Sequence, residues 1–140
     1  MNAIMSTPSS GEVAISTEGD IVAARRTVRD AATRLGFTQT DVARIVTAAS
    51  ELARNVFRYA GEGVMKWRSL EVNSRVAIEV QFVDQGPGIP DIPLALQEGY
   101  STGGGLGMGL PGAKRLADEM EIESVVGQGT SITLRKWRRA

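Results

Sequence analysis

The chain has 140 residues, of which 42% are hydrophobic and 23% charged, and its 16 basic and 16 acidic side chains leave a formal net charge of zero. We expect one domain, 11–140, after a flexible leader, 1–10, with no global charge to draw it onto nucleic acid or a membrane. Histidine and cysteine are absent, which excludes a Ser-His-Asp triad, a phosphohistidine, thiolate nucleophiles, disulfides and metals bound by these residues.

The hydropathy pattern predicts alternating blocks of strands and helices. In chain order these are a strand over 12–16, helices over 20–35 and 41–60, strands over 64–71 and 76–84, a short helix over 91–97, a helix over 110–120, and strands over 121–126 and 130–137. Thr17 or Asp20 is the expected cap of the first helix and Thr40 that of the second. The basic residues 135–139 are predicted to end in solvent.

Paired strands without βαβ crossovers indicate an α+β protein. We predict a two-layer sandwich whose mixed, mostly antiparallel sheet carries its helices on one face. No apolar run reaches the ~20 residues that a membrane-spanning helix needs. The expected compartment is therefore the cytoplasm.

Two polar residues share one face of the second predicted helix. Glu51 and Asn55 are four positions apart, so they lie one turn from each other. An amide oxygen can ligate Mg²⁺ and a carboxylate can accept a proton from a hydroxyl. Taken alone, the pair is better explained as the polar edge of an amphipathic helix.

Asp84 stands directly after an apolar predicted strand and is followed by Gly86 and Gly88. This arrangement places an acceptor beside backbone that a ligand can approach closely, and it would suit the amino group of a purine ring. An ordinary tight turn has the same sequence pattern.

Residues 103–109 contain five glycines in seven positions and precede a predicted helix. Such a loop can wrap an anion with its N–H groups while the helix N-terminus lies behind it. A mobile linker is the competing interpretation. The pair Gly129 and Thr130 closes a predicted hairpin, and the Thr130 hydroxyl could also face a ligand.

The order and spacing of these motifs resemble those of the Bergerat-fold ATPases, which include gyrase B, MutL and the histidine kinases. The likeness runs from about residue 12 to residue 137. Segments 50–55 (SELARN), 84–92 (DQGPGIPDI), 99–112 (GYSTGGGLGMGLPG) and 129–130 (GT) look like those of the switch serine/threonine kinases of the sigma-B regulator and stressosome system, in the anti-sigma regulatory factor family.

This resemblance implies a role for each matching residue. Asn55 would hold the Mg²⁺ that bridges the phosphates of ATP, and Glu51 would act as general base or orient the attacking hydroxyl. Asp84 would bind the adenine amino group with support from Thr130.

The resemblance also implies how glycines would shape the site. Gly86 and Gly88 would let the backbone approach the nucleotide. The expected ATP lid over the phosphates comprises Gly103, Gly104, Gly105, Leu106, Gly107, Met108 and Gly109.

The implied function is that of a protein serine/threonine kinase whose substrate is a STAS-domain antagonist or scaffold protein. Once released by phosphorylation, such a kinase binds and activates a PP2C-type serine phosphatase. Two alternatives share the same nucleotide site. One is an anti-sigma factor kinase that sequesters a sigma factor, and the other is an adaptor that binds ATP without catalysis.

Overall fold

The computed structural model describes residues 9–97 and 109–139. In chain order the elements are β1 (Ser10–Ile15), α1 (Glu18–Arg34), α2 (Gln39–Asn55), a π-helical turn (Val56–Ala60), β2 (Gly63–Val72), β3 (Arg75–Asp84), α3 (Ile92–Ala95), α4 (Gly109–Leu116), β4 (Glu119–Val125) and β5 (Gly129–Trp137). The predicted leader lies outside the described residues except for its last two positions. Ser10 already belongs to β1, so the first strand begins within the predicted leader.

The five strands form one sheet in the order β1-β2-β3-β5-β4. Every pairing among these strands is antiparallel. Helices α1 and α2 pack on each other, and α4 packs on α2. The predicted α+β class is confirmed, and within the described residues the sheet has no parallel pair.

Alternation along the strands separates the two faces of the sheet. Met65 and Trp67 of β2 are buried opposite Phe82 and Val80 of β3, whereas the intervening Lys66 is exposed. Because neighbouring side chains of a strand point to opposite faces, the apolar set lies on the side that the helices cover. The core is therefore a single layer between the helices and the sheet.

The opposite face of the sheet carries a row of alternating charges. Arg68 donates to Glu79 at 2.7 Å, and Arg135 donates to the other oxygen of Glu79 at 2.9 Å and also pairs with Glu119. Burial would raise the pKa of Glu79, but the hydrogen bonds from Arg68 and Arg135 outweigh it and hold that pKa below its usual value. Cross-strand ion pairs thus link four strands on this face.

The helix caps explain where α1 and α2 begin. Thr17 accepts from the Asp20 N–H while Asp20 accepts from the backbone N–H of Thr17, so the two candidates form one capping box. For α2 the predicted cap, Thr40, is wrong. Thr38 is the N-cap, because its hydroxyl accepts from the Asp41 N–H at 3.1 Å and the helix begins two residues earlier.

One turn and one strand pairing determine the remaining boundaries. Asn73 and Ser74 both have positive φ, 53° and 67°, as a two-residue hairpin turn requires, so the predicted β2–β3 hairpin is confirmed. The helix predicted over 110–120 is too long. It ends at Leu116 because Met120 pairs with Leu134 as part of β4.

An acidic side chain at the start of α2 anchors the end of the chain. Asp41 is 1% exposed and pairs with Arg44 at 2.9 Å and Arg139 at 3.2 Å, and the buried Lys136 lies 4.0 Å away. Arg138 donates to the Leu35 carbonyl at 2.7 Å. The prediction of a solvated basic end is therefore right only for the exposure of Arg138 and Arg139, because both also bind the first helices and Lys136 is buried.

Across residues 9–97 and 109–139, no helix combines the length and apolar character that crossing a membrane requires.

Candidate functional site

A cavity of about 570 Å³ opens at one end of the helix-covered face of the sheet. It lies between the end of α2 with the π-helical turn, the ends of β3 and β5, the loop after β3, and the start of α4. Its lining residues include Glu51, Leu52, Arg54, Asn55, Val56, Arg58, Tyr59, Ala60, Phe82, Asp84, Pro87, Gly88, Ile89, Pro90, Asp91, Leu94, Ala95, Gly109, Leu110, Pro111, Thr130 and Ile132. This volume falls within the usual range for small-molecule sites.

The last turns of α2 supply the polar wall of the cavity. Glu51 and Asn55 both line it, as the helical spacing predicts. Arg54 donates to Glu51 Oε2 at 2.8 Å, which leaves Oε1 for another partner. Within the described residues, the Asn55 carboxamide has no hydrogen bond, so its oxygen is available to a ligand.

The π-helical turn directly after Asn55 shapes the same wall. Val56, Tyr59 and Ala60 all line the cavity. A π-turn widens the backbone, and such turns are frequent at functional sites. The sequence contained no signal for it, because its side chains continue the apolar spacing of an ordinary helix.

Asp84 lies at the end of β3, directly opposite Thr130 of β5. One carboxylate oxygen of Asp84 accepts from the Gly86 N–H at 2.9 Å, which fixes the side chain and leaves its second oxygen for a ligand. Thr130 also faces the cavity. The two side chains that were predicted to meet a purine ring are therefore cross-strand neighbours.

The loop after β3 passes too close to other backbone for side chains at its glycines. A Cβ at Gly88, where φ is +81°, would lie 2.6 Å from the Val125 carbonyl oxygen. A Cβ at Gly86 would lie 2.6 Å from that of Ala60. Glycine at these positions thus holds the loop against the π-helical turn and the β4–β5 hairpin.

Of the predicted lid, only Gly109 belongs to the described residues. It is the first residue of α4, has a φ of +30° and lines the cavity. The remaining lid positions, Gly103, Gly104, Gly105, Leu106, Gly107 and Met108, lie outside the described residues.

One polar residue beside the site was missed by sequence reasoning. Ser124 in β4 accepts from the Ile89 N–H at 2.7 Å, and its hydroxyl lies 3.0 Å from that of Thr130. A single serine in a strand carries no motif, so the register of β4 on β5 was needed to find it.

The cavity is lined by both apolar and polar side chains. Leu52, Phe82 and Ile132 can cover the faces of a planar ring, and Asp84 offers an acceptor at the end of β3. The Glu51 carboxylate and the Asn55 carboxamide lie on the helical wall. Such a site can hold an aromatic base and present a carboxylate and an amide oxygen to a more polar group.

An antiparallel sheet covered by helices on one face, with a cavity between a strand-end aspartate and an E-x-x-x-N helix, defines an ATPase-type nucleotide-binding domain. The family model of the histidine kinase-like ATPase domain matches residues 15–136, and the chain belongs to this family. The resemblance to Bergerat-fold ATPases is thereby confirmed.

Known relatives show which members of this ATPase family the chain is similar to. The chain is 51% identical over 127 residues to the serine/threonine-protein kinase RsbT of Bacillus subtilis (strain 168), covering 91% of this chain and 96% of that protein. It is 33% identical over 120 residues to an anti-sigma F factor of Caldanaerobacter subterraneus subsp. tengcongensis, covering 81% and 82%. The predicted enzyme class, a protein serine/threonine kinase, agrees with the first of these relatives.

A solved structure supports the fold. The chain resembles the RsbU and RsbW domains of Rv1364c from Mycobacterium tuberculosis with a TM-score of 0.62 and 20% identity. The match covers 93% of this chain and 34% of that longer one. At this identity the likeness concerns the fold alone.

Proposed function

We propose that this chain is a cytoplasmic, ATP-dependent kinase that phosphorylates a serine or threonine of a STAS-domain antagonist or scaffold protein. Released by that phosphorylation, it binds and activates a PP2C-type serine phosphatase. The observation that carries the proposal is the convergence of Glu51, Asn55, Asp84 and Thr130 on one cavity. The 51% identity to a serine/threonine kinase supports the choice of reaction.

The nucleotide is oriented by the polar side chains of the cavity. The free oxygen of Asp84 accepts from the exocyclic amino group of adenine, since the other oxygen is held by the Gly86 N–H. The apolar side chains cover the ring. The phosphates then extend toward the wall formed by Glu51 and Asn55 and toward Gly109 at the start of α4.

The site residues fit a magnesium nucleotide. Asn55 offers an amide oxygen without a hydrogen bond among the described residues. Protein sites for Mg²⁺ with nucleotides commonly use one or two side chains together with the phosphates and water. When bound, the ion supplies charge neutralisation at the phosphate oxygens.

Phosphoryl transfer at this site requires positioning and a proton acceptor. The partner's hydroxyl oxygen forms a bond to the γ-phosphorus while the bond to the ADP oxygen breaks, and ADP leaves with that electron pair. Glu51 takes the hydroxyl proton on Oε1, because Arg54 occupies Oε2. No histidine or cysteine is needed, in keeping with the composition.

Release of the partner follows from electrostatics. A phosphoryl group adds about 1.5–2 negative charges to a surface that had docked without them, and its desolvation opposes renewed docking. The freed kinase surface is then open to the phosphatase.

The direct test is incubation of the full chain with Mg²⁺-ATP and a purified STAS-domain protein, followed by intact-mass spectrometry of that partner. We expect the mass to rise by one phosphoryl group, and a partner with its acceptor serine or threonine replaced by alanine to stay unmodified. An unmodified partner together with normal ADP binding would overturn the kinase assignment.

The identity to an anti-sigma F factor favours a second candidate, sequestration of a sigma factor. Capture of partner proteins by the immobilised chain in the presence of Mg²⁺-ADP distinguishes these two functions. Capture of a STAS protein and a phosphatase supports the switch kinase, whereas capture of a sigma factor supports the alternative.

A further inference from the structure

Three segments of the chain meet at the hydroxyl of one serine. Ser124 accepts from the Ile89 N–H of the loop after β3 at 2.7 Å. Its oxygen lies 3.0 Å from the Thr130 hydroxyl and 3.2 Å from the Gly129 carbonyl oxygen. Ser124 and Thr130 are register partners of β4 and β5, so the contact is set by the sheet itself.

The single hydrogen of this hydroxyl has two competing acceptors. A serine has one O–H donor and two lone pairs, and one lone pair is taken by the Ile89 N–H. If Ser124 donates to Gly129, the Thr130 hydrogen is drawn toward Ser124 and only lone pairs face the cavity. If Ser124 donates to Thr130 instead, the Thr130 hydrogen is free to donate to a ligand.

We propose that Ser124 is a positioning residue for adenine: it donates to Thr130, so that Thr130 donates to ring nitrogen N1 while Asp84 accepts from the neighbouring amino group. This inference rests on the proposed nucleotide function. Thr130 and Asp84 are cross-strand partners that both line the cavity. Adenine presents an amino donor beside the N1 acceptor, whereas guanine presents an acceptor beside a donor and is mismatched at both positions.

Ser124 also holds the loop that follows Asp84. Its bond to the Ile89 N–H holds the loop that begins at Asp84, and the Gly127 N–H reinforces this by donating to the Pro87 carbonyl at 2.8 Å. The hairpin and the loop are thus fixed relative to each other. Loss of the hydroxyl frees the loop and also removes the donor that directs the Thr130 hydrogen toward the cavity.

The test compares the affinity for ADP with that for 1-deaza-ADP, in which N1 is replaced by a C–H group. For the unmodified chain we expect ADP to bind about tenfold more tightly, the value of one hydrogen bond lost against a buried donor. In Ser124→Ala we expect weaker ADP binding and a ratio that falls toward one. Ser124→Thr, which keeps a hydroxyl, should restore the ratio.

Two controls separate positioning from general stability. Ser131→Ala removes a part-buried serine that accepts from Gln81 at 3.2 Å on the other face of the sheet, and it should leave the ratio unchanged. Thr130→Val should by itself bring the ratio of the two affinities close to one. Adding Ser124→Ala to that variant should lower the ratio no further. Ser124→Cys replaces the alanine variant if thermal unfolding shows that the latter does not fold.

The outcomes distinguish the two levels of the proposal. A chain that binds neither nucleotide overturns the nucleotide function and the role of Ser124 with it. A chain that prefers ADP, and keeps that preference in the folded alanine or cysteine variant, overturns the role of Ser124 alone.

Discussion

At the scale of single residues, the site depends on which oxygen of each carboxylate is already occupied. Arg54 takes one oxygen of Glu51, and the Gly86 N–H takes one oxygen of Asp84. Each carboxylate therefore keeps one oxygen for a ligand in a fixed direction. Pre-organisation of this kind lowers the cost of ordering the site on binding.

Replacing Glu51 by glutamine should separate binding from catalysis. The amide keeps an oxygen to accept from Arg54 but cannot act as a proton acceptor, so we expect ADP affinity to be retained and the transfer rate to fall about 10²-fold or more. Calorimetry and the rate of partner phosphorylation measure the two quantities. Glu71→Gln, an exposed position in β2, is the matched control.

An unchanged transfer rate in Glu51→Gln would remove this residue from the proton-acceptor role. A chain in which neither form transfers phosphate while both bind ADP would instead favour the adaptor alternative.

Replacing Asp84 by asparagine should act on binding alone. The asparagine oxygen can still accept from the Gly86 N–H, but its NH₂ then faces the adenine amino group, and donor meets donor. We expect ADP affinity to fall about tenfold to a hundredfold. Titration calorimetry measures this, with the exposed Asp30→Asn as control. Equal affinities of the unmodified chain and Asp84→Asn would contradict the assignment.

At the scale of elements, the sequence correctly predicted the features that depend on local patterns. The spacing of Glu51 and Asn55 placed both on one wall, and the Asn73-Ser74 turn gave the hairpin. The start of α2 was misplaced because Thr38 and Thr40 are both good caps, and only the former accepts from the N–H three residues on. Local chemistry did not distinguish them.

Other parts of the site depend on contacts between distant segments. The local pattern predicts a helix at Met120, because that pattern carries no sign of the pairing of Met120 with Leu134. Ser124 was overlooked because its partners come from a loop 35 residues away and from the facing strand. Such positions can be identified only when the register of the sheet is known.

Gly88 in the loop after β3 and Gly127 in the β4–β5 turn form a matched pair for a test of close packing. Gly88 and Gly127 have nearly equal φ, +81° and +83°, but a Cβ at Gly127 would meet nothing within 4 Å. We expect Gly127→Ala to cost about 1–2 kcal/mol from backbone strain alone. Gly88→Ala should cost about 1–3 kcal/mol more, because the Val125 carbonyl must move.

Urea unfolding measures both free energies, and ADP affinity should fall only for the alanine at Gly88. Equal destabilisation by the two substitutions would show that the loop has room to relax, and the close approach would then have no role in shaping the cavity.

At the scale of the whole molecule, Asp41 connects the start of α2 to the C-terminal residues after β5. Burial alone would raise the pKa of this carboxyl, but the hydrogen bond from Arg44 and the charges of Lys136 and Arg139 hold that pKa below its ordinary value of 3.8. A pKa lower in the folded than in the unfolded chain stabilises the fold above pH 3.8, and this contribution is lost as the pH falls through the folded pKa.

We therefore expect the free energy of unfolding to decline as the pH falls from about 5 through the range in which Asp41 is protonated. Asp41→Asn should destabilise the chain at neutral pH, because Arg44 and Arg139 lose their anion and the buried Lys136 keeps only Asp118, at 3.4 Å. It should also flatten the acid limb of the profile. Denaturant unfolding at several pH values measures this, with Asp30→Asn as control, and an acid limb of unchanged slope would argue against the cluster.

The long β2–β3 hairpin has a practical consequence for the study of partner exchange. Its two strands run ten residues each, from the pair of Gly63 and the cavity-lining Asp84 to the turn after Val72, a span of about 30 Å. Since the chain has no cysteine, Val72→Cys, at a half-exposed position, would create a unique attachment point for a fluorophore. Polarisation of such a dye would follow complex formation in real time without touching the end that holds the cavity.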